Sequence, residues 1–423
     1  MEGNVIDTLK ARGLLEAITG DELRERVGKE PLTIYSGFDC TADSLHVGHL
    51  LPALNLRRFQ LAGHTPIVVV GGGTSLIGDP SGKRAERKLL DRATIDGFAE
   101  SIRKQLAGLL DFSGANAARM RNNADWLCQF SFIDMLRDVG KFFRLSDMLE
   151  KDSVRSRLES EAGISFTEFT YMILQSYDFL HLYKAEGCQV QGGGSDQWGN
   201  ITAGTDLIRK SCGGQAYGVT YPLLLNSKGE KFGKSEGNAV WLDPNLTSPY
   251  DFYQFWIRTE DADVERLLKY FTFIGLDEIA ALAAEHRKAP EKRLAQQRLA
   301  HEMTTMLHGE EEAKKSAASA RALYGGSVEV APGAKLADLV PDAPRASMDR
   351  KRIGTLTLLD LVVESGLAAS KGEARRLIQQ GGAYLNQQRI DDGFALLAED
   401  ALSADHMVLL RAGKKNYVLV EFS

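Results

Sequence analysis

The chain has 423 residues, 43% hydrophobic and 26% charged, which is enough for two or three domains with large buried cores. Lys and Arg number 51 against 57 Asp and Glu; the net charge of −6 excludes a bulk polycation and leaves any nucleic-acid contact to local basic patches. No run approaches the roughly 20 apolar residues of a membrane helix, and four scattered cysteines (Cys40, Cys128, Cys188, Cys212) without a Cys-x-x-Cys pair exclude a disulfide framework and an ordinary zinc site.

The first ten residues carry acids and lack a basic start with an apolar run, so a cytoplasmic location with reduced thiols is expected. From about residue 31 to 225, short β-branched runs alternate with glycine-rich turns and helical periodicity, the sign of an α/β parallel sheet. The pattern predicts a strand over 32–38, a helix over 45–61 and a fully buried strand over 65–70 that enters Gly71-Gly72-Gly73. A further strand over 189–192 opens into Gly193-Gly194-Ser195-Asp196. Beyond Ser248, residues 249–274, 277–289 and 291–323 read as helical, and 325–352, with Pro332, Pro341 and Pro344, as a linker. The tail from 355 to 422 forms a separate small unit. It has a helix over 358–365, a helix over 371–380 capped by Ser370, and Gly381-Gly382 as its stop before Ala383-Tyr384-Leu385-Asn386.

Three glycine motifs can be set aside. Gly71-Gly72-Gly73 lacks the third glycine of a dinucleotide fingerprint, because position 76 is Leu76. Gly229 and Gly233, like Gly78 and Gly82, stand one residue too close for a P-loop. The turn Cys40-Thr41-Ala42-Asp43-Ser44-Leu45-His46-Val47-Gly48-His49 remains, at the junction of the first strand and its helix. A helix N-terminus attracts phosphate, and Gly48 allows close approach. The alternatives are a metal pair or two partly buried structural histidines; a third metal ligand at usable spacing is missing, so no metal residue is assigned. A second cationic loop, Lys231-Phe232-Gly233-Lys234-Ser235, reads by itself as a solvated turn and gains meaning only beside the histidine turn.

His46-Val47-Gly48-His49 and Lys231-Phe232-Gly233-Lys234-Ser235 resemble, in order, the HIGH and KMSKS signatures of the class I aminoacyl-tRNA synthetases. Tyr35-Ser36-Gly37-Phe38-Asp39, Gly78-Asp79-Pro80-Ser81-Gly82, the run from Tyr171 through Gln175 to Asp178, and the run from Gln191 through Gly194 and Asp196 to Gln197 narrow the resemblance to the bacterial tyrosyl-tRNA synthetases. The sequence departs from their pattern at Cys40, where proline is usual, at Phe232-Gly233 in place of Met-Ser, and at Pro52, a variable helix position. The nearest rival is the tryptophanyl branch, against which Tyr35 and Asp178 argue for a hydroxyl-bearing ring. A rival of another kind is an RNA-binding scaffold with a retired active site.

The resemblance implies a Rossmann-like catalytic domain over 1–225, the lysine loop and connection over 226–247, an α-helical anticodon-side domain over 248–325, a linker over 326–353 and a small α+β RNA-binding domain over 354–423. It implies an ATP-dependent ligase that makes tyrosyl-adenylate and charges tRNA(Tyr), with Mg²⁺ on the phosphates. The phenol of L-tyrosine is expected between Tyr35 and Asp178, and its ammonium near Asp79, Tyr171 and Gln175, with Gln191 close by. ATP is expected along Gly37, Asp39, His46, Gly48 and His49, with Gly194 and Asp196 near the ribose and Lys231, Lys234 and Ser235 on the phosphates. Thr41 and His46 suit the departing pyrophosphate; Lys83 and Arg87 either reach it or are plain surface residues. In the tail, Lys371, Arg375 and Arg376, with Arg411, Lys414 and Lys415, are expected to meet RNA, against the bland reading of a solvated helix face. A homodimer also follows from the resemblance, with Phe166 and Phe169 either at its interface or in the core.

Overall fold

The computed structural model describes the chain apart from residues 1–2, 80–89, 160–162, 226, 228, 230–231, 233, 236–237, 325–335, 340–342, 387 and 414–415. Two compact units emerge: Met1–Ser248 with Phe255–Leu299, and Pro249–Gln254 with Ala300–Ser423.

The first unit is built on a six-stranded sheet of β1 (Ala17–Ile18), β2 (Thr33–Asp39), β3 (Thr65–Gly71), β4 (Arg119–Asn122), β5 (Cys188–Gly194) and β6 (Tyr217–Tyr221), in the order β1-β6-β5-β2-β3-β4. Strands β2 to β6 run parallel and β1 pairs antiparallel with β6 at the edge. In β3, Ile67, Val68, Val69 and Val70 are all buried, as a strand covered on both faces requires. Each expected strand of the α/β region appears, and the one anticipated over 189–192 runs longer, through Gly194. The β2–β3 crossover is the helix Val47–Leu61, with Pro52 in its second turn. After β4 the chain crosses to the other side of β2 to form β5 and β6, so strand order reverses between β2 and β5. Such a switch point leaves a crevice beyond the carboxyl ends of the strands.

The expected helical run over 249–274 is broken in two, Pro249–Ile257 and Asp261–Phe271, and that over 291–323 becomes Leu294–His308 and Glu310–Tyr324. The second break falls at Gly309, whose φ of 88° is the left-handed conformation that glycine supplies cheaply. A short hairpin follows the main sheet: β7 (Lys234–Ser235) pairs with β8 (Asn238–Ala239).

The second unit holds a five-stranded sheet of β9 (Arg345–Met348), β10 (Ala383–Leu385), β11 (Gln388–Arg389), β12 (Met407–Ala412) and β13 (Asn416–Phe422), in the order β11-β10-β12-β13-β9. Its core joins Leu361, Ala374, Ile378, Val408, Leu410 and Val420. The helix Lys371–Gln379 is capped by the Ser370 side chain, as its sequence predicts. The stretch expected as a linker is not wholly unstructured. Arg345–Met348 pairs parallel with β13, a long-range pairing that four short residues with no apolar run do not announce.

Candidate active site

The crevice at the switch point is a cavity of about 480 Å³. From β2, Tyr35, Gly37 and Asp39 share one face because side chains alternate along a strand. Tyr171, Gln175 and Asp178 stand at i, i+4 and i+7 of the helix Phe166–Glu186 and so present one stripe to the same space. Gln191, Gly194 and Asp196 come from β5 and the turn after it, and Thr41, His46, Gly48 and His49 from the β2 turn. Asp79 completes the wall, so all the expected tyrosine-side residues meet in this cavity.

The deep end is buried and polar. Tyr35 is 2% exposed, its Oη has no protein partner, and its ring packs on Phe179 at 5.3 Å. Gln191 Oε1 is likewise buried without a partner. The Asp178 carboxylate accepts hydrogen bonds from Asn123 Nδ2 (2.9 Å) and Trp126 Nε1 (2.7 Å). Burial outweighs these two donors and pushes its carboxyl up to about 7. Burial, with Asp178 nearby, drives the Tyr35 phenol well above its ordinary value, so it is a neutral donor. Orphaned buried polar atoms are costly in proportion to their desolvation, and two beside a carboxylate point to a ligand hydroxyl at this depth.

Residues that sequence reading did not single out hold these groups. Asn123 also accepts from Gly73 N (2.7 Å) and donates to Thr74 Oγ1 (3.0 Å); Thr74 and Tyr171 both donate to Asp39 Oδ1 at 3.3 Å. Gln197 Nε2 donates to Asp79 Oδ2 (2.8 Å), and Asn200 Nδ2 donates to Gln175 Oε1 and Gln197 Oε1 at 3.1 Å. Asp79 and Gln175 thus offer acceptors suited to an ammonium, with Asp39 lining the same cavity beside Tyr171. Asn200, two residues into its helix, was signalled only by lying three positions beyond Gln197.

At the mouth, the two histidines cap the Val47–Leu61 helix reciprocally. His46 Nδ1 accepts from Gly48 N (3.0 Å) and His49 Nδ1 from His46 N (3.1 Å), with the rings stacked at 4.0 Å. Both rings therefore carry their proton on Nε2 and are donors there, which favours the anion reading over the metal pair. A Cβ on Gly48 would stand 2.8 Å from the His46 ring, so any other residue here would push that ring out of its capping position. The segment after the lysine loop pairs with this turn: Val47 N donates to Val240 O (3.0 Å), Leu242 N to Leu45 O (2.8 Å), and Trp241 bridges His46. Lys234 and Ser235 are placed by their backbone in β7. Lys231, Lys83 and Arg87 lie outside the described residues, as do Lys414 and Lys415. Cys40 is buried and its backbone N donates to Ser75 Oγ (2.7 Å), a fixed turn without proline; burial pushes the thiol up to about 12, out of reach of nucleophilic use.

In the second unit Arg375 and Arg376 are exposed on their helix, and Lys371 is paired with Asp360 at 2.6 Å. Arg411 lies over the Tyr384 ring at 3.8 Å and donates to Gly413 O (2.7 Å), so its guanidinium is largely engaged within the fold.

Residues 28–325 match the family model described as tRNA synthetases class I (W and Y), and residues 335–420 that of the tyrosine–tRNA ligase SYY-like C-terminal domain. The chain is 51% identical to the tyrosine–tRNA ligase of Anaeromyxobacter dehalogenans over 99% of both chains. The chain belongs to the class I tyrosyl-tRNA synthetase family. It is 50% identical to the Bacillus velezensis family member over 99% of this chain and 100% of that one. Among solved structures, the C-terminally truncated mitochondrial tyrosyl-tRNA synthetase of Aspergillus nidulans matches with TM-score 0.69 and 33% identity, over 76% of this chain and 95% of that one.

Proposed function

We propose that this chain joins L-tyrosine to ATP as tyrosyl-adenylate, releasing pyrophosphate, and then passes the tyrosyl group to the 3′ end of tRNA(Tyr), releasing AMP. It is an ATP-dependent ligase of the aminoacyl-tRNA synthetase family. The observation that carries the substrate assignment is the buried trio of Tyr35 Oη, Gln191 Oε1 and the Asp178 carboxylate at the closed end of the cavity. A phenol O–H donates to Asp178 and accepts from Tyr35, whereas phenylalanine leaves the buried Tyr35 hydroxyl unpaired and offers Asp178 no further donor; discrimination of this kind is the familiar example set by tyrosyl-tRNA synthetases themselves. The wall of Asp79, Gln175 and Tyr171 takes the ammonium, and Asp39, which accepts from Tyr171, faces ATP with Gly37.

The tyrosine carboxylate attacks the α-phosphorus, the bond to pyrophosphate breaks, and no protein nucleophile is needed. The protein aligns the two substrates and meets the charge that develops on pyrophosphate. Thr41, the Nε2 donors of His46 and His49, and Lys231, Lys234 and Ser235 take that role; Gly48 lets the nucleotide lie against the helix, while Gly37, Gly194 and Asp196 face its sugar and base. Lys83 and Arg87 are assigned to pyrophosphate. Mg²⁺ would neutralise the phosphates. Among the described residues no cluster of three metal-binding side chains forms a cage.

Arg375 and Arg376, with Lys414 and Lys415, supply the tRNA contact of the second unit, while the engagement of Arg411 with Tyr384 and Gly413 and of Lys371 with Asp360 disfavours those two as primary contacts. The enzyme works in the cytoplasm as a homodimer; Phe132, Ile133, Leu145 and Phe166 are each more than 60% exposed, and Phe166 is the side chain assigned to the surface that a second copy would cover. Tyrosine-dependent ATP–pyrophosphate exchange tests the reading. Exchange supported by tryptophan and not by tyrosine would overturn the substrate. Gel filtration of Phe166→Glu should give a monomer; an unchanged dimer would remove this surface.

A further inference from the structure

The helix Asp261–Phe271 is fixed at its C-terminal end by two buried guanidiniums. Arg12 donates to Lys269 O (3.0 Å) and Thr272 O (3.1 Å), and Arg58, in the Val47–Leu61 helix, to Tyr270 O (2.7 Å) and Thr272 O (3.1 Å). These carbonyls have no partner within the helix, so the two cations satisfy them and meet the negative end of its dipole. The helix is thereby tied to the one that begins at the histidine turn.

Its other end grips the chain that leads into the lysine loop. Asp263, whose side chain is 6% exposed, accepts from Ser227 N through Oδ2 (2.9 Å) and from Arg266 through Oδ1 (2.7 Å). The same Arg266 guanidinium donates to Leu225 O (2.7 Å). An acid in a first helical turn is ordinarily a dipole partner; this one spends both oxygens on the loop entrance. Phe232 then seats its ring among Phe255, Trp256 and Phe271, with centroids at 5.1, 5.7 and 6.1 Å, and its N donates to Leu224 O (2.9 Å). The exit is paired with the histidine turn at 240–242.

We infer that Asp263 is a positioning residue for adenylate formation, acting with Arg266 and the Phe232 seat to set where Lys231 and Lys234 stand relative to the histidine turn. The inference rests on the proposed action of those lysines on the phosphates. Lys231 directly precedes Phe232 in the chain and Lys234 follows it by two residues, so the Phe232 seat is a described anchor adjacent to both lysines. Groups that stabilise a transition state must be held to a fraction of an ångström, and a lost support lowers the rate without lowering affinity for the other substrate.

The test uses the full-length enzyme. Asp263→Ala and Arg266→Ala should each slow single-turnover adenylate formation roughly 10- to 100-fold, the kinetic equivalent of one or two charge-assisted hydrogen bonds. The tyrosine Kd should stay close to that of the parent, while the melting temperature of Asp263→Ala falls because Ser227 N and the Arg266 guanidinium lose their acceptor. Asp263→Asn, which keeps an acceptor for Ser227 N, should recover most of the rate. In a Lys231→Ala, Lys234→Ala background, adding Asp263→Ala should cost nothing further, because the residue has lost what it positions. If Asp263→Ala alone leaves the rate unchanged, or multiplies the loss in that background, the anchor is overturned while the lysine role stands. If the double lysine variant is as fast as the parent, the lysine reading itself fails and takes this inference with it. Should Asp263→Ala not fold, Phe232→Leu asks the same question from the other side, with the same loss and the same non-additivity expected.

Discussion

Tyr35→Phe removes a single oxygen from the closed end of the cavity, and the structure predicts opposite signs for its two consequences. In the free protein Tyr35 Oη is buried without a protein partner, so deleting it relieves a desolvated hydroxyl instead of breaking a bond. Thermal stability should be unchanged or slightly raised. In the complex, the same deletion removes one neutral hydrogen bond from the substrate phenol, a net of about 0.5–1.5 kcal/mol, or roughly 2- to 12-fold in kcat/KM. Phenylalanine offers no hydroxyl and loses nothing, so the tyrosine-to-phenylalanine ratio in pyrophosphate exchange should fall by that same factor. ATP dependence should not move. The ring itself packs on Phe179 and survives the change, which makes a general loss of fold an unsuitable explanation. A folded Tyr35→Phe enzyme with undiminished selectivity would show that the phenol lies elsewhere.

The Asp178 carboxyl has an ordinary value of 3.8 and is raised to about 7 in the fold, chiefly by burial, so kcat/KM for tyrosine should climb with pH up to about 7 and level off above it. Asp178→Asn should flatten that profile. Because the folded value is the higher one, the folded state binds the extra proton, and the contribution of this group to stability is greatest at low pH and declines as pH rises from about 4 to about 7; Asp178→Asn should remove that slope from the denaturation midpoint. Lys234→Ala and His46→Ala should each slow adenylate formation about 100- to 1,000-fold with tyrosine Kd barely changed, and a matching loss of tyrosine binding would make them structural. Arg375→Ala with Arg376→Ala should weaken tRNA binding and reduce the slope of log K against log salt by about one for each lost phosphate contact, with tyrosine activation unaffected as the control.

Periodicity was enough to place β2, β3 and β5 of the parallel sheet, because a run such as Ile67 to Val70 has few ways to be buried other than as an inner strand, whereas β1, β4 and β6 were not anticipated. It could not place β9, since the pairing of Arg345–Met348 with residues 419–422 is decided by a partner more than 70 positions away. The site divides along the same line. Tyr35 with Asp39, and Tyr171 with Gln175 and Asp178, were legible only through the family resemblance of their motifs, and the structure shows that each set occupies one face of a strand or helix. Asn123, Trp126, Thr74 and Asn200 reach those groups from other elements, and their bonds to Asp178, Asp39 and Gln175 exist only once strands β3, β4 and β5 are assembled. The raised carboxyl at Asp178 has the same origin, for Asn123 and Trp126 pull it down while closure of the sheet around it removes the water. Motif residues therefore announce which chemistry is intended, whereas the protonation state in which they perform it is a property of the assembled fold. Asp263 carries this furthest: nothing in its local sequence distinguishes it from any acid in a first helical turn, and only the arrival of Ser227 and Arg266 at its two oxygens gives it a bearing on catalysis.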